Sequence, residues 1–260
     1  MAAEIEIVVD GRVQLIRFLR QEKKNAFTGA MYDAMSAALD EAERSDAIAV
    51  TVFTGSGGCF SAGNDMADFR RRAAAGTTDV PAPSLDFIRR LPRATKPMIA
   101  AVDGLAVGVG ATMLLHCDLV YASPAASLRT PFLDLGLVPE AASSLLAPMR
   151  MGYARAFELL CLGEAFDAER ALAAGLVNAI VPAAQLETTA LAAAGRLAAK
   201  PPAALTAARR LMRADAATVS ARIEEEARIF AERLRSPEAQ EAVAAFFEKR
   251  APDFSKVRQS

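Results

Sequence analysis

The chain has 260 residues, 53% hydrophobic and 23% charged, with 15 glycines and 13 prolines. This composition excludes disordered, collagen-like and coiled-coil classes. Thirty Lys and Arg against 31 Asp and Glu leave a formal charge of −1. A nucleic-acid binder would need a basic excess, and only short runs such as Arg70-Arg71-Arg72 occur.

Cys59, Cys117 and Cys161 are an odd, widely spaced set, which argues against a disulfide framework. His116 is the only histidine, so H-E-x-x-H zinc sites and His-rich clusters are ruled out, and no metal is expected. The longest uncharged apolar stretch, between Asp103 and Asp118, is shorter than the ~20 residues of a membrane-spanning helix. The start, Met1-Ala2-Ala3-Glu4, lacks the basic-then-apolar order of a secretion signal, and the end, Arg258-Gln259-Ser260, is not a peroxisomal S-K-L. A cytoplasmic protein with neither membrane nor nucleic-acid partner is the expectation.

In chain order, residues 4–9 alternate and 12–18 continue as strand, separated by Asp10-Gly11, a hairpin turn. Thr28 is placed to cap a helix with Met31, Met35 and Leu39 on one stripe. A buried strand at Ile48 to Thr54 leads to Gly55, Gly57, Gly58 and Gly63, and Met66 to Arg72 has a helical pattern. The order then recurs: helix near 84–91, strand at Met98 to Val102, glycines at 104, 108 and 110, helix near 110–116 and strand at 118–122. Layered β/α repeats follow, with chemistry on the loops after the strands. All 15 glycines lie at or before Gly195. Beyond Pro201-Pro202, Val219, Ile223, Phe230 and Leu234 share one helical face, and Val243, Phe246 and Phe247 mark another short helix. Residues 1–200 are therefore read as the core and 201–260 as a helical appendage, docked on its own chain or on a neighbouring subunit.

Three segments could carry chemistry. Gly57-Gly58-Cys59-Phe60-Ser61-Ala62-Gly63-Asn64-Asp65 joins a strand to a helix, where freed N–H groups form an anion or oxyanion receptor; an ordinary glycine turn is the bland alternative. Asp103 to Thr112 has the same form. As a dinucleotide loop it fails, because after Gly108 and Gly110 the third glycine position is Met113. Converging with the first loop, it would complete a two-donor oxyanion hole. In Leu135 to Ser144, Glu140 follows Pro139 at the expected first turn of a helix, as a dipole-complementing side chain or as a general base of raised pKa. For His116, a satisfied buried role outweighs a triad, since no G-x-S-x-G elbow exists. Ser143 and Ser144 are read as serving the helix start.

Taken together, Lys23-Lys24-Asn25-Ala26, the C-S-A-G-N-D segment, V-D-G-L-A-V-G-V-G, Cys117 to Ser123, Thr130-Pro131-Phe132, L-G-L-V-P-E-A-A-S-S and the tail Phe246 to Arg250 resemble the crotonase (enoyl-CoA hydratase/isomerase) superfamily. The resemblance implies an α/β crotonase-like spiral of ββα repeats with C-terminal helices that form a homotrimer or a dimer of trimers. It implies an acyl-CoA thioester substrate, with coenzyme A part of the substrate and no separate cofactor. The backbone N–H groups of Ala62 and Val109, the latter flanked by Gly108 and Gly110, would polarise the thioester oxygen. Lys24, Asn25, Ala26, Gly63, Asn64 and Asp65 would line the CoA path, and Lys249 would reach a CoA phosphate. Where hydratases of the family carry two glutamates, this sequence has Thr112 and Phe132, which argues against hydration. The segment around Glu140 is most similar to peroxisomal-type Δ3,Δ2-enoyl-CoA isomerases, implying Glu140 as a single catalytic base. A hydratase-type reaction through another acid, Asp68 or Asp134, and a non-catalytic acyl-CoA-binding role are the alternatives.

Overall fold

The computed structural model describes residues 4–67 and 83–256. Two strands, β1 (Ile5–Asp10) and β2 (Val13–Phe18), open the chain as an antiparallel pair with Asp10 opposite Val13. The turn is Gly11-Arg12, one residue later than expected, and Gly11 alone takes a positive φ. Helix α1 (Gly29–Arg44) begins at Thr28, whose hydroxyl accepts the Met31 N–H, and buries Met31, Met35 and Leu39. Helix α2 (Pro83–Arg90) follows β3 (Val50–Gly55). Of the helix expected over Met66 to Arg72, residues beyond Ala67 lie outside the described residues.

Strands β3, β4 (Met98–Val102), β6 (Leu119–Ala122) and β9 (Ala179–Ile180) add in parallel to β2, giving a sheet ordered β1-β2-β3-β4-β6-β9. A second sheet pairs β5 (Leu105–Val107) with β7 (Ser127–Arg129) in parallel and β7 with β8 (Phe166–Asp167) antiparallel. After the opening hairpin, the strand pairs β4/β5 and β6/β7 each send one strand into each sheet. β4 and β5 do so across Asp103-Gly104, and the first glycine loop does so through a bridge from Ser61 to Ala106. This is the α/β crotonase-like spiral.

Alternation decides the two cores, because successive strand residues face opposite sides. Val50, Val52, Ile99 and Ala101 pack under helix α7 (Ala183–Ala198), while Phe53, Met98, Ala100 and Val102 face the larger core. There Phe18 meets Phe27 and Phe60 edge-on, at centroid separations of 4.7 and 5.4 Å. Such pairs add about 0.5–1.5 kcal/mol each beyond burial. Phe27 directly precedes Thr28, and Phe60 lies in the first glycine loop, so this cluster locks that loop to the hairpin.

The helix expected near 110–116 divides into α3 (Val109–Thr112) and a tighter 3₁₀ turn over Met113–His116. Helices α4 (Ser143–Met151), α5 (Tyr153–Leu160) and α6 (Ala168–Ala173) lead on from the second sheet. The tail forms α8 (Pro202–Met212), α9 (Ala216–Leu234) and α10 (Pro237–Glu248). In α9, Val219 and Ile223 are buried in the main core, with Phe230 and Leu234 packed against it, so this face docks on its own chain. The short helix expected around Val243, Phe246 and Phe247 forms as α10, with Ala239, Ala242 and Ala245 facing inward and Phe246 and Phe247 exposed. The small alanines allow α10 to lie close against the 3₁₀ turn at Leu133–Leu135, where Gly136 meets the Ala239 backbone. Among the described residues, no helix is long and apolar enough to cross a membrane.

Candidate active site

Two glycine loops meet. Gly63 has φ +82°, and a Cβ there would lie 2.6 Å from the Val107 carbonyl oxygen. Only glycine lets the first loop approach β5 that closely. Gly110 in turn lies against Ser61. Gly108 occupies φ +56°, ψ −122°, a region reserved for glycine, and turns β5 directly into α3. Val109 is the first residue of α3, so its N–H has no acceptor within the helix.

The first loop assigns its N–H groups differently from the sequence expectation. Ala62 donates to the Lys24 carbonyl at 2.8 Å and Asp65 to the Phe27 carbonyl at 3.0 Å, while the Gly63 N–H goes to the Ser61 hydroxyl at 3.0 Å. Phe27 pairs with Asn64 as in a parallel ladder, bonding to Gly63 and Asp65 on either side, so the Asn64 main chain faces the other way. Among the described residues, the Asn64 N–H has no partner. Ala62 is thus corrected as a donor, since using it would break a bond that braces the loop.

Other expected ligand contacts are structural braces. Asn25 is fully buried; its amide donates to the carbonyls of Ser56 (2.9 Å) and Cys59 (2.6 Å), and its oxygen accepts the Arg20 N–H. It holds Lys24 and itself at positive φ, exposing the Lys24 side chain beside Ala26 and the loop. Asp65 pairs with Arg20 at 2.7 Å and caps the Ala67 N–H. Both side chains are engaged by other groups of the chain. Thr112 and Phe132 are buried, as is Val109. Among the described residues, no hydrogen bond or ion pair joins Lys249, exposed at the end of α10, to these loops. Asp134 is exposed and paired with Arg129, and Asp68 lies outside the described residues.

Glu140 arrives on a turn rather than in a helix, which corrects the first-turn expectation. The Leu137 N–H donates to the Phe132 carbonyl, folding the segment back, and α4 starts only at Ser143, whose N–H donates to the Glu140 carbonyl. Between them Ala141 and Ala142 both take left-handed backbone, φ +60° and +53°. The side chain is half-buried, with Oε1 sealed from solvent and, among the described residues, without a hydrogen-bond partner. Burial first, and the neighbouring Glu226 carboxylate second, push its pKa up to about 8. A carboxylate held this way is a strong base near neutrality.

Three residues of the arrangement were not singled out for it from the sequence. Tyr32, buried on α1, donates its hydroxyl to the Asn64 side-chain oxygen at 2.6 Å, and burial first, then the Glu140 charge, raises the Tyr32 pKa. His116 is held neutral by burial, its pKa lowered to about 4, and its Nε2–H donates to the Ala141 carbonyl at 2.8 Å. Glu226 on α9 is buried and receives the N–H groups of Ala142 and Ser144 and the Ser144 hydroxyl. The signal for Glu226 was present: it falls between Ile223 and Phe230 at helical spacing, a charge on the docked face. Among the described residues, no group of three or more His, Cys, Asp or Glu is gathered as a metal site would require.

Each of the two touching loops thus carries a backbone N–H without a partner among the described residues, and Tyr32 links the Asn64 loop to the proton-avid Glu140, an arrangement with the chemistry to polarise a carbonyl and accept a proton. The chain belongs to the enoyl-CoA hydratase/isomerase family, whose model matches residues 9–257. It is 39% identical over 189 residues to "Enoyl-CoA delta isomerase 2" of Rattus norvegicus, covering 71% of this chain but only 48% of that protein. It is 31% identical over 253 residues to "2,3-dehydroadipyl-CoA hydratase" of Escherichia coli (strain K12), covering 97% of this chain and 98% of that one. An enoyl-CoA hydratase/isomerase structure from Pseudoalteromonas atlantica T6c superposes with a TM-score of 0.91 at 40% identity, covering 97% of this chain and all (100%) of that one.

Proposed function

We propose that this chain is an enoyl-CoA isomerase that shifts the double bond of a 3-enoyl-CoA to give the trans-2-enoyl-CoA, with Glu140 as its single base. The observation that carries this reading is the contrast between two buried carboxylates. Glu226 has its oxygens engaged by three donors, whereas Glu140 keeps a sealed oxygen without a partner among the described residues. Glu140 removes the C2 proton. The C2–H electron pair moves through C2–C1 onto the thioester oxygen, forming a dienolate that the N–H groups of Asn64 and Val109 stabilise. Glu140 then returns the proton at C4 as the electrons move back, and the double bond ends between C2 and C3. One oxyanion donor is worth about 2.7–4 kcal/mol and a positioned base roughly 10²–10⁴-fold in rate. No water is added, and the buried Phe132 and Thr112 bring no second acid. Lys249 is assigned to a CoA phosphate. The exposed Tyr153, Phe157, Leu211 and Met212 suit burial between copies in a homotrimer or dimer of trimers, working in the cytoplasm.

The hydratase relative favours hydration as the second reading. Purified protein incubated with 3-hexenoyl-CoA, and separately with crotonyl-CoA, distinguishes the two. Double-bond migration that Glu140→Gln lowers at least 100-fold is the expected result; hydration of crotonyl-CoA without migration rejects the assignment.

A further inference from the structure

We propose that Glu226, on the C-terminal helix α9, is a positioning residue for Glu140: its carboxylate clasps the turn behind Glu140 and, once ionised, sets a negative charge beside it. This rests on Glu140 being the base. The turn needs a clasp. Ala141 and Ala142 are consecutive left-handed residues, each disfavoured by its own Cβ. Glu226 holds three donors two to four residues past Glu140: the Ala142 N–H at 2.6 Å, the Ser144 N–H at 3.0 Å and the Ser144 hydroxyl at 2.5 Å. From another side His116 Nε2–H holds the Ala141 carbonyl. With both grips closed the carboxyl of Glu140 has a defined direction.

A neutral side chain could supply part of the clasp; the charge does something else. Among the described residues, the groups around the pair are few. Arg222 donates to the Ser144 hydroxyl at 3.2 Å and also pairs with Glu225, and Glu224 is drawn away to Arg89. Tyr32 approaches Glu140 from α1, and His116 is neutral. Glu226 is therefore the carboxylate whose charge reaches Glu140. Burial pushes Glu226 up to about 6, below Glu140, so as pH rises the clasp ionises before the base. The base then loses its proton beside an anion, which makes it the stronger acceptor once ionised.

The test uses the full chain carrying Glu226→Gln, in two measurements. The first is the pH dependence of kcat/KM for 3-hexenoyl-CoA. The second needs no turnover: the infrared band of the protonated Glu140 carboxyl followed across pH, with Glu140→Gln as the blank. The expected result is that the midpoint falls by roughly one pH unit in both. Ser144→Ala loosens the clasp but keeps the charge, and should lower kcat about 10- to 100-fold with the midpoint unmoved. Glu226→Asp should likewise keep the midpoint. An unmoved infrared midpoint in folded Glu226→Gln overturns the proposal; if that variant does not fold, unchanged kcat in both Ser144→Ala and Glu226→Asp overturns it. Absence of wild-type turnover with a shifted infrared midpoint would instead reject the isomerase reading and leave the clasp standing.

Discussion

The Tyr32 hydroxyl donates to the side-chain oxygen of Asn64 at 2.6 Å, tying α1 to the loop residue whose N–H has no partner among the described residues. Tyr32 also touches Phe27 edge-on at 5.5 Å, and Phe27 holds the main chain on both sides of Asn64. One aromatic residue thus aims the donor by its ring and by its hydroxyl. Tyr32→Phe keeps the ring and deletes the hydroxyl. We expect the melting temperature to change little and kcat/KM to fall by the worth of one hydrogen bond, about 0.5–1.5 kcal/mol or roughly 2- to 13-fold. Steady-state kinetics beside a thermal melt would show it; a large loss of stability with unchanged kcat/KM would contradict this role.

The Val109 N–H can be removed without removing a helix. Val109 is the first residue of α3, a position proline favours because its N–H has no intrahelical partner. Val109→Pro should lower kcat about 10²–10³-fold, while Val109→Ala, which keeps the N–H, should lose far less. Equal losses in the two variants would show that side-chain packing, not the donor, matters there.

Glu140 leaves a stability signature of definite sign. Its folded value of about 8 lies above its ordinary 4.5, so between these the folded chain binds a proton that the unfolded chain has released. That contribution is greatest at low pH and is lost as pH rises through 8. Glu140→Gln mimics the protonated form, so it should melt close to wild type at pH 5 and above it at pH 8.5, by up to a few kcal/mol. Differential scanning calorimetry at the two pH values decides; a variant equally offset at both would show that Glu140 does not titrate as stated.

His116 acts with the opposite sign. Its pKa falls from 6.5 to about 4, so stability from the neutral ring is present above 6.5 and lost as pH falls towards 4. Glu226, raised from 4.5 to about 6, opposes this over part of the range. The comparison with His116→Gln therefore isolates the histidine. The variant's melting temperature should drop less steeply between pH 6.5 and 4, while kcat falls because the Ala141 carbonyl loses a fixed donor. A slope identical to wild type would remove His116 from the acid response.

Much of the architecture was legible because local rules carry it. Alternation marked β1, buried apolar runs marked β3 and β4, Thr28 marked the start of α1, and glycines marked the loops where the backbone must pass close to its neighbours. The Ala62 expectation failed because a motif fixes which residues line a loop, not which N–H groups the loop spends on itself. Lys24 takes that hydrogen from across the fold. Which face of α10 turns inward is decided by size. Phenylalanine is the more apolar residue, but only alanine is small enough for the approach to Gly136.

By itself the sequence determined the repeats, the two glycine loops and the lone glutamate after Pro139, because each depends on residues adjacent in the chain. Tertiary structure alone decided which donors stay free and how proton-avid Glu140 is. Those depend on Tyr32, His116 and Glu226, which lie far apart in sequence and act on Glu140 and the donor loop only once burial has removed water from between them.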